Sequence, residues 1–277
     1  MTQINASIVL YHNRKEQVTK AIKSFLNTDL KVKLYLVDNS TTDELSELGK
    51  IDNRIEYIFN NANLGYGAGH NIAMRRSISE RVPYHLVLNP DVYFESGVLE
   101  ELFEYMEVHP DVGNIIPQVK YPNDEIQYLC KLLPTPTDLI LRRFIPIRSW
   151  KEKRNEKYEL RWTGYNKIMN IPNLSGCFMF LRVAALKDVG LFDENIFMYF
   201  EDIDLNRRIH RKYKTIFYPK VEIVHEYAKE SYKNKNLLKY HIQSAIYYFN
   251  KWGWFFDEER NRINSKCIEE LKSMLQK

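Results

Sequence analysis

The sequence predicts an α/β protein in which helices flank an open, mixed, mostly parallel sheet, with a short helical extension at the C-terminal end. Three observations predict this class. Residues 6–91 alternate apolar runs with segments of helical period, the apolar runs end abruptly in polar side chains, and residues 237–277 have a helical pattern throughout. A chain of 277 residues that is 44% hydrophobic and 27% charged is long enough to bury a sizeable core.

The first half of the chain has the β-α-β-α-β order of a parallel sheet. Residues 6–11 form a continuous apolar run, which is typical of a strand buried on both faces. Residues 15–27 carry apolar side chains on one helical face, and strands follow at 33–37, 55–59 and 86–88. Because ligands of such sheets gather at the carboxyl ends of the strands, the polar residues that follow each strand are the candidates for function.

The second half is less regular. Residues 132–166 are rich in Pro, Arg, Lys and Trp without a clear period, and we interpret them as an excursion or mobile loop. The remaining predicted elements are an antiparallel strand within 169–181, a helix at 183–189 ended by Gly190, strands at 215–218 and 221–225, and helices over 237–277 with a break near Gly253.

Composition excludes several classes of protein. A net charge of +4 without a block of like charges argues against nucleic acid as a partner. The three cysteines are far apart and have no CxxC spacing, which argues against a zinc site or a disulfide framework and favours a reducing cytoplasm. No secretion signal precedes the first strand, and no apolar run approaches the roughly 20 residues of a membrane-spanning helix, so we expect any membrane contact to be peripheral.

Basic and aromatic residues are interleaved in two segments, 131–167 and 229–251. Such segments suit an anionic interface, and they are equally typical of plain amphipathic helices with a solvated basic face. The aromatic stretch at 247–256 leaves two alternatives open: it packs on its own domain, or it packs on a second subunit in a homodimer.

A glycine-rich segment, residues 63–71, lies between a strand and a helix. Small residues there let backbone amides approach a phosphate or a ribose, and they also suit a tight strand-to-helix turn. Its spacing matches neither the dinucleotide-binding fingerprint nor the P-loop. Further along, Asn89-Pro90-Asp91 offers an amide oxygen and a carboxylate at a strand end, which suits Mg²⁺ or Mn²⁺ but is also a common turn.

Three carboxylates, Glu201, Asp202 and Asp204, directly follow an apolar aromatic run. Capping of a helix N-terminus accounts for one of them but not for all three. His225 follows a predicted strand, where an imidazole can bind a metal or a phosphate or can be merely structural.

Taken in order, these segments resemble family 2 of the glycosyltransferases, and within it the bacterial rhamnosyltransferase-like branch that builds surface polysaccharides. The resemblance spans roughly residues 6–225 and is carried by residues 8–13, 37–40, 63–71, 88–92, 175–179, 190–194 and 197–205. It implies a GT-A fold, which is a Rossmann-like mixed sheet between helices that binds a nucleoside diphosphate sugar.

The resemblance also implies roles for individual residues. Asp202 matches the catalytic base, with Glu201 beside it. Asp91 matches the last acid of the metal-binding motif, Asn89 stands where the fuller motif has aspartate, and His225 lies where some relatives have a metal or diphosphate ligand. The residues that the resemblance assigns to the donor are Tyr11, Asn13, Asp38 (which contacts the base), Asn63, Gly65, Asn71 and Asn89, and Arg207 or Arg208 is a further candidate for the phosphates.

The function implied is inverting transfer of rhamnose or another hexose from a UDP- or dTDP-sugar, with a divalent cation (Mg²⁺ or Mn²⁺). The implied acceptor is a glycan or a polyprenyl-diphosphate-linked glycan of O-antigen or capsule synthesis, at the inner face of the cell membrane. We expect a catalytic domain over residues 1–230, with 130–166 as an acceptor loop, and a helical extension over 231–277. The alternatives are a sugar-nucleotide nucleotidyltransferase, although the loop after the first strand lacks glycine, and a non-catalytic carbohydrate-binding protein.

Overall fold

A computed structural model describes residues 2–138, 148–227 and 235–276. The middle of the predicted loop, residues 139–147, and the predicted domain boundary after residue 230 lie outside the described residues. Within the described part of the chain, nine strands form one mixed sheet and two short strands form a second sheet. The predicted α/β class with a mixed central sheet is confirmed.

The main sheet has the strand order β3-β2-β1-β4-β10-β6-β11-β5, and β8 also pairs with β11. Its first four strands run parallel, whereas β10 runs antiparallel to both of its neighbours. The strands are β1 (Ile4–Leu10), β2 (Val32–Asp38), β3 (Ile55–Phe59), β4 (Tyr84–Leu88), β5 (Val92–Tyr93), β6 (Val112–Lys120), β7 (Cys130–Lys131), β8 (Met169–Asn170), β9 (Asn173–Leu174), β10 (Phe178–Arg182) and β11 (Lys214–His225).

Helices cover the sheet. They are α1 (Lys15–Leu26), α2 (Tyr66–Ser79), α3 (Val98–Val108), α4 (Arg148–Tyr158), α5 (Val183–Val189), α6 (Glu201–His210), α7 (Lys235–Trp252) and α8 (Glu258–Leu275), with 3₁₀ turns at Ser46–Lys50 and Arg161–Thr163. None of the helices in the described ranges is both long enough and apolar enough to span a bilayer.

The first elements lie where periodicity predicts them. The strand at 55–59 and the helix at 183–189 match their predicted bounds, and the others differ by a few residues at their ends. The single strand predicted within 169–181 is wrong in extent, because the chain divides there into β8, β9 and β10. Its antiparallel direction is confirmed in β10. The two strands predicted over 215–225 form one strand, β11, with an irregular register near residues 219–221.

The predicted excursion is more ordered at its described ends than its composition indicates. It directly follows β7 and contains α4, and Leu132, Tyr158, Leu160 and Tyr165 belong to the main hydrophobic core. A few apolar side chains at irregular spacing anchor these ends, and no periodicity reveals such contacts. The role of residues 130–166 as an acceptor loop stays a prediction.

The C-terminal helices are packed into the rest of the protein. Cys267 and Leu271 of α8 join the main core, while Tyr248 and Phe249 of α7 pack against Phe200, directly before α6. The break at Gly253 is confirmed, with a φ of 106° that disfavours residues with side chains. All three cysteines are buried and free.

Candidate active site

The ends of β4 and β11 bring Asp91 and His225 together. Val92 pairs with His225, and the backbone N–H of Glu226 donates to the carbonyl of Asp91 at 2.9 Å. His225 Nε2 lies 3.4 Å from Asp91 Oδ2. Two residues that are 134 positions apart in the sequence therefore form one polar pair at this edge of the sheet.

Gln127 orients the imidazole of His225. Gln127 Oε1 lies 3.0 Å from His225 Nδ1, and Gln127 Nε2 donates to the carbonyl of His225 at 2.8 Å. In the neutral ring this arrangement puts the proton on Nδ1 and leaves Nε2 facing Asp91 with a lone pair, which is the tautomer of a metal ligand. Burial lowers the pKa of His225, but Cys177 and Asp91 raise it, to about 10, so that without a cation the ring is protonated and Nε2 carries a proton; a cation that binds at Nε2 displaces this proton.

Three buried polar atoms around this edge have no hydrogen-bond partner in the described part of the chain: Asp91 Oδ1, His225 Nε2 and Glu201 Oε2. Buried polar atoms are normally paired, so unpaired ones indicate a place for a ligand. No cluster of three His, Cys, Asp or Glu side chains suited to a metal occurs among the described residues. A pair of protein ligands suits Mg²⁺ or Mn²⁺, which commonly take one or two carboxylates and complete the shell with substrate phosphates and water.

Glu201 and Asp202 begin α6. The residue before them, Phe200, is the N-cap and makes no side-chain cap hydrogen bond, so N-terminal capping by Asp202 or Asp204 is not what the structure contains. Asp202 Oδ2 accepts from the N–H of Gly176 at 2.9 Å, and its Oδ1 accepts from the N–H of Ile203 at 2.8 Å. Each oxygen keeps a lone pair for a proton.

Burial raises the pKa of both carboxyl groups. For Glu201, repulsion from the charge of Asp202 adds to the effect of burial. For Asp202 the backbone donors at Gly176 and Ile203 and the charge of Lys131 oppose the rise. The sequence did not indicate Lys131, because β7 lies in a segment without periodicity.

The turn that delivers these carboxylates is strained. Tyr199 and Phe200 have φ values of 67° and 71°, a left-handed conformation that residues other than glycine rarely adopt twice in succession. Helix α7 supports the turn: Ser244 Oγ donates to the carbonyl of Met198 at 2.7 Å, and Phe200 packs on Tyr248. The C-terminal helices thus hold this turn in place.

Asp204 has a structural role that its position in the acidic cluster does not reveal. It is fully buried, and its carboxylate accepts from Arg208 Nε at 2.9 Å, Trp252 Nε1 at 2.8 Å and Lys251 Nζ at 2.8 Å. It therefore ties α6 to α7. Of the three carboxylates, two remain for chemistry.

Arg207 and Arg208 are both bound by groups of the protein. Arg207 is 1% exposed and pairs through both terminal nitrogens with Asp257 at 2.7 Å. Arg208 binds Asp204 and donates to the carbonyl of Leu191. The expectation that one of them meets the phosphates is wrong, because the sequence does not reveal that acids 50 residues further along fold back onto α6.

The glycine-rich segment is a tightly packed turn. A Cβ on Gly67 would lie 2.9 Å from Phe192 Cβ, and one on Gly69 would lie 2.8 Å from Val9 Cγ2. Gly65 has a φ of 88° and faces the carbonyl of Phe197. Close packing therefore requires these glycines, in agreement with the alternative of a strand-to-helix turn.

Tyr66, within the same segment, was missed by the motif analysis. Its hydroxyl lies 3.0 Å from Asn89 Oδ1 and 2.7 Å from the carbonyl oxygen of Gly176. Burial and the nearby charges of Glu201 and Asp202 raise the pKa of Tyr66 well above its ordinary value. Tyr66 thereby connects the end of β4 with the turn that holds Asp202.

The ends of β1 and β2 are closed by internal hydrogen bonds. Asp38 is fully buried; its Oδ1 accepts from the N–H of Ser40 at 2.8 Å and its Oδ2 from the hydroxyl of Tyr57 at 2.6 Å. Asn71 is bonded in a similar way: its Nδ2 donates to the carbonyl of Phe192, and its Oδ1 accepts from the N–H of Phe192. Both side chains are held by the protein's own hydrogen bonds in this conformation, so Asn71 is a structural link, and the donor-binding role that the resemblance gives to each of them stays a prediction.

Tyr11, Asn13 and Asn63 lie at the surface nearby. Tyr11 is 50% exposed, and its N–H donates to Asn13 Oδ1 at 2.7 Å. Asn63 is exposed and accepts from the N–H of Gly65 at 3.1 Å. A cavity of ≈ 90 Å³ lies beside them, lined by His12, Asn13, Ser40, Thr42, Glu44 and Leu45. These residues are available to a ligand, and their assignment to the donor stays a prediction.

The geometry, carboxylates at strand ends of a mixed α/β sheet, coincides with a match to the family model "Glycosyl transferase family 2" over residues 7–190. The chain belongs to this family. This glycosyltransferase is 26% identical over 256 residues to the N-acetylglucosaminyl-diphospho-decaprenol L-rhamnosyltransferase of Mycobacterium tuberculosis. The alignment covers 83% of this chain and 79% of that protein. It is 23% identical to the rhamnosyltransferase WbbL of Escherichia coli K12, covering 93% and 97%.

The same fold occurs in the solved structure of Staphylococcus aureus TarS, with a TM-score of 0.60 and 15% identity. The alignment covers 97% of this glycosyltransferase but only 43% of that chain. A shorter TarS chain, 1–349, in complex with UDP aligns with a TM-score of 0.57, 14% identity, and coverage of 97% and 71%. The GT-A fold is therefore confirmed.

Proposed function

We propose that this glycosyltransferase moves a sugar from a nucleoside diphosphate sugar to an acceptor hydroxyl with inversion, and that Asp202 is the general base. One observation carries the proposal. The hydroxyl of Tyr66 contacts both Asn89, which precedes the Asp91–His225 pair, and Gly176, whose N–H holds Asp202. A site for the leaving diphosphate and a carboxylate base thus belong to one hydrogen-bonded unit.

The base acts on the acceptor. A sugar hydroxyl is a poor nucleophile, and a carboxylate within hydrogen-bond reach removes its proton as the oxygen attacks the anomeric carbon. Attack on the face opposite the leaving diphosphate inverts the configuration. The two backbone N–H groups that bind Asp202 fix its orientation, and the raised pKa makes it a better proton acceptor than an exposed aspartate.

Asp91 and His225 are the proposed ligands of a divalent cation, Mg²⁺ or Mn²⁺. Their unpartnered atoms, Asp91 Oδ1 and His225 Nε2, fit that role. A bound cation supplies charge stabilisation to the departing diphosphate. Asn89 in place of a carboxylate lowers the negative charge of the site, which predicts weaker cation binding than two carboxylate ligands would give.

The donor and acceptor are proposed from the relatives. One relative is an L-rhamnosyltransferase acting on N-acetylglucosaminyl-diphospho-decaprenol, and another is a rhamnosyltransferase. We therefore propose rhamnose, from its dTDP or UDP form, as the donated sugar and a polyprenyl-diphosphate-linked glycan of O-antigen or capsule synthesis as the acceptor. We propose that the enzyme meets such an acceptor at the inner face of the membrane.

An exposed aromatic pair supports membrane contact. Phe255 is 69% exposed and Phe256 is 96% exposed, at the turn between α7 and α8, and Ile242 and Ile246 are exposed on α7. Aromatic side chains at such a turn suit the interface of a bilayer.

The double variant Phe255→Ser/Phe256→Ser tests this contact. It is expected to sediment less with anionic liposomes than the wild type does, and to unfold at the same temperature. Unchanged sedimentation would contradict membrane contact at these residues, and a loss of dimer without lipid would assign the patch to a second subunit instead.

The central test measures release of nucleoside diphosphate from UDP-, dTDP- and GDP-sugars with lipid-linked acceptors and Mn²⁺ or Mg²⁺. Asp202→Asn is expected to lower kcat by about 1,000-fold, since a general base contributes roughly 10²–10⁴. The matched control is Asp188→Asn, an exposed carboxylate paired with Lys212, which should leave the rate unchanged. Donor binding without turnover in the wild type would support the non-catalytic alternative.

A further inference from the structure

The hydroxyl of Tyr66 has one proton and two acceptors. It lies 2.7 Å from the carbonyl oxygen of Gly176 and 3.0 Å from Asn89 Oδ1, and it cannot donate fully to both. The oxygen and nitrogen of an asparagine amide exchange places by rotation, and the hydrogen-bond network decides between them. With the nitrogen of Asn89 turned towards Tyr66, the amide donates to the hydroxyl and the hydroxyl donates to Gly176.

This arrangement explains an asparagine at position 89. An aspartate there accepts only, so that a carboxylate and a carbonyl would compete for the single proton of Tyr66. Asparagine satisfies both contacts and presents its own oxygen away from Tyr66. The charge of the surroundings favours the amide as well, because Asp91, Glu201 and Asp202 already act on Tyr66.

We propose that Tyr66 is a positioning residue that requires asparagine at position 89 and locks the end of β4 to Gly176. Asn89 also fixes the backbone there, since its N–H donates to the carbonyl of Cys177 at 2.9 Å. Gly176 in turn donates to Asp202. The relay from Asn89 through Tyr66 and Gly176 therefore sets the distance between the diphosphate side and the base, a functional consequence that rests on the proposed transfer reaction.

The steric setting of Gly176 supports the relay. A Cβ on Gly176 would lie 3.1 Å from Asp202 Cβ and 3.3 Å from Asp202 Oδ2, so the peptide at position 176 lies directly against the base. A movement of this peptide moves Asp202. The ring of Tyr66 is held on its other side by His70, with ring centroids 4.4 Å apart, so the hydroxyl has little freedom to follow.

A four-protein cycle tests the proposal: wild type, Tyr66→Phe, Asn89→Asp and the double variant. The first readout is thermal unfolding without donor or cation. Asn89→Asp is expected to lower Tm by about 3 °C when residue 66 is tyrosine and to have little effect when it is phenylalanine, because the competition for the proton is then absent.

The second readout is turnover. Each single variant is expected to lower kcat about tenfold with a much smaller change in donor KM, and the double variant is expected to lose about tenfold rather than a hundredfold. Tyr84→Phe is the matched control, since its hydroxyl contacts Glu107 at 2.6 Å and should combine additively with Asn89→Asp.

Two results would overturn the inference. One is an additive cycle, in which Asn89→Asp has the same cost in both backgrounds. The other is an unchanged or higher Tm for Asn89→Asp alone, which remains decisive if Tyr66→Phe does not fold. Thermal unfolding does not depend on sugar transfer. A wild type without turnover would therefore contradict the proposed function, while the unfolding measurements would still test the pairing of residues 66 and 89.

Discussion

Two groups of polar residues at the same edge of the sheet differ in how their hydrogen bonds are used. At the ends of β1 and β2 and in α2, which we name the closed end, Asp38, Asn39, Ser40 and Asn71 are buried and bonded within the protein. At the ends of β4 and β11 and the start of α6, which we name the open end, Asp91, Glu201 and His225 have buried atoms without a partner.

The difference separates stability from function. A buried polar group that is fully bonded contributes to the folded state, whereas one that is unpaired destabilises it until a ligand arrives. Both groups follow strands and both contain residues assigned by family resemblance. Only their hydrogen bonds distinguish them, and the predictions below concern members of the two groups and other buried polar residues of the same kind.

The largest expected effect concerns the buried ion pair between Arg207 of α6 and Asp257. Arg207→Met leaves Asp257, 3% exposed at its side chain, without its bidentate partner, and we expect a loss of about 3–5 kcal/mol in the free energy of unfolding. Denaturant titration measures it. The matched control is Arg211→Met, which removes an arginine that is 43% exposed and binds Glu259, and which should cost less than about 1 kcal/mol. Similar losses in the two variants would contradict the comparison.

The next effect separates the two interpretations of Asn71. As a structural link it holds the backbone of Phe192, so Asn71→Ala should cost about 1–3 kcal/mol in unfolding free energy with an unchanged donor KM. Asn63→Ala, at an exposed residue, should do the reverse if Asn63 contacts the donor. A raised donor KM with normal stability in Asn71→Ala would restore the role that the resemblance implies.

A third effect is a pH dependence of the free energy of unfolding, caused by His85 in β4. Burial lowers the pKa of His85 to about 3 from its ordinary 6.5, and its ring contacts Ser7 and Ser77. The folded protein then binds fewer protons than the unfolded chain between these values. Stability is therefore lost as pH falls below 6.5, by roughly 1–2 kcal/mol between pH 6.5 and 5.

Urea unfolding at several pH values measures this slope. His85→Gln should flatten it without abolishing it, because burial also lowers the pKa of His70. An unchanged slope in the variant would mean that other groups cause the dependence.

The smallest effect is a pH dependence of the free energy of unfolding that is opposite in sign to that of His85, and it is caused by Glu201 at the open end. Burial and Asp202 raise the pKa of Glu201 above its ordinary 4.5, so the folded protein binds more protons than the unfolded chain above that pH. Its contribution to stability is present below pH 4.5 and is lost as pH rises towards the raised pKa. Glu201→Gln should therefore gain about 1 kcal/mol at pH 8.

The same Glu201→Gln protein should turn over more slowly than the wild type, since stability gained at an active site is commonly paid for in activity. Unfolding curves at pH 5 and pH 8, with rates on the same preparation, provide the measurement. A variant that is less stable at pH 8 would place Glu201 with the closed residues.

Sequence patterns predicted the strands and helices of the first half because these elements are long and periodic. Asp202 and Asp91 could be singled out because strand ends and helix starts are visible in the sequence, and the resemblance supplied the roles that we propose for them. Tyr66, Gln127 and Lys131 were not found, since each acts through one contact with a residue distant along the chain, and no local pattern marks such a contact.

The sequence by itself determined the α/β class, the family and the order of the motifs, because buried strands and tight glycine turns impose local constraints on residue type. The tertiary structure alone decided which members of each motif are free to act. Asp204 and Asp202 are two positions apart and chemically alike, yet the first is bound by Arg208, Lys251 and Trp252 and the second faces Gly176. Their partners come from distant segments, and only folding brings those segments together.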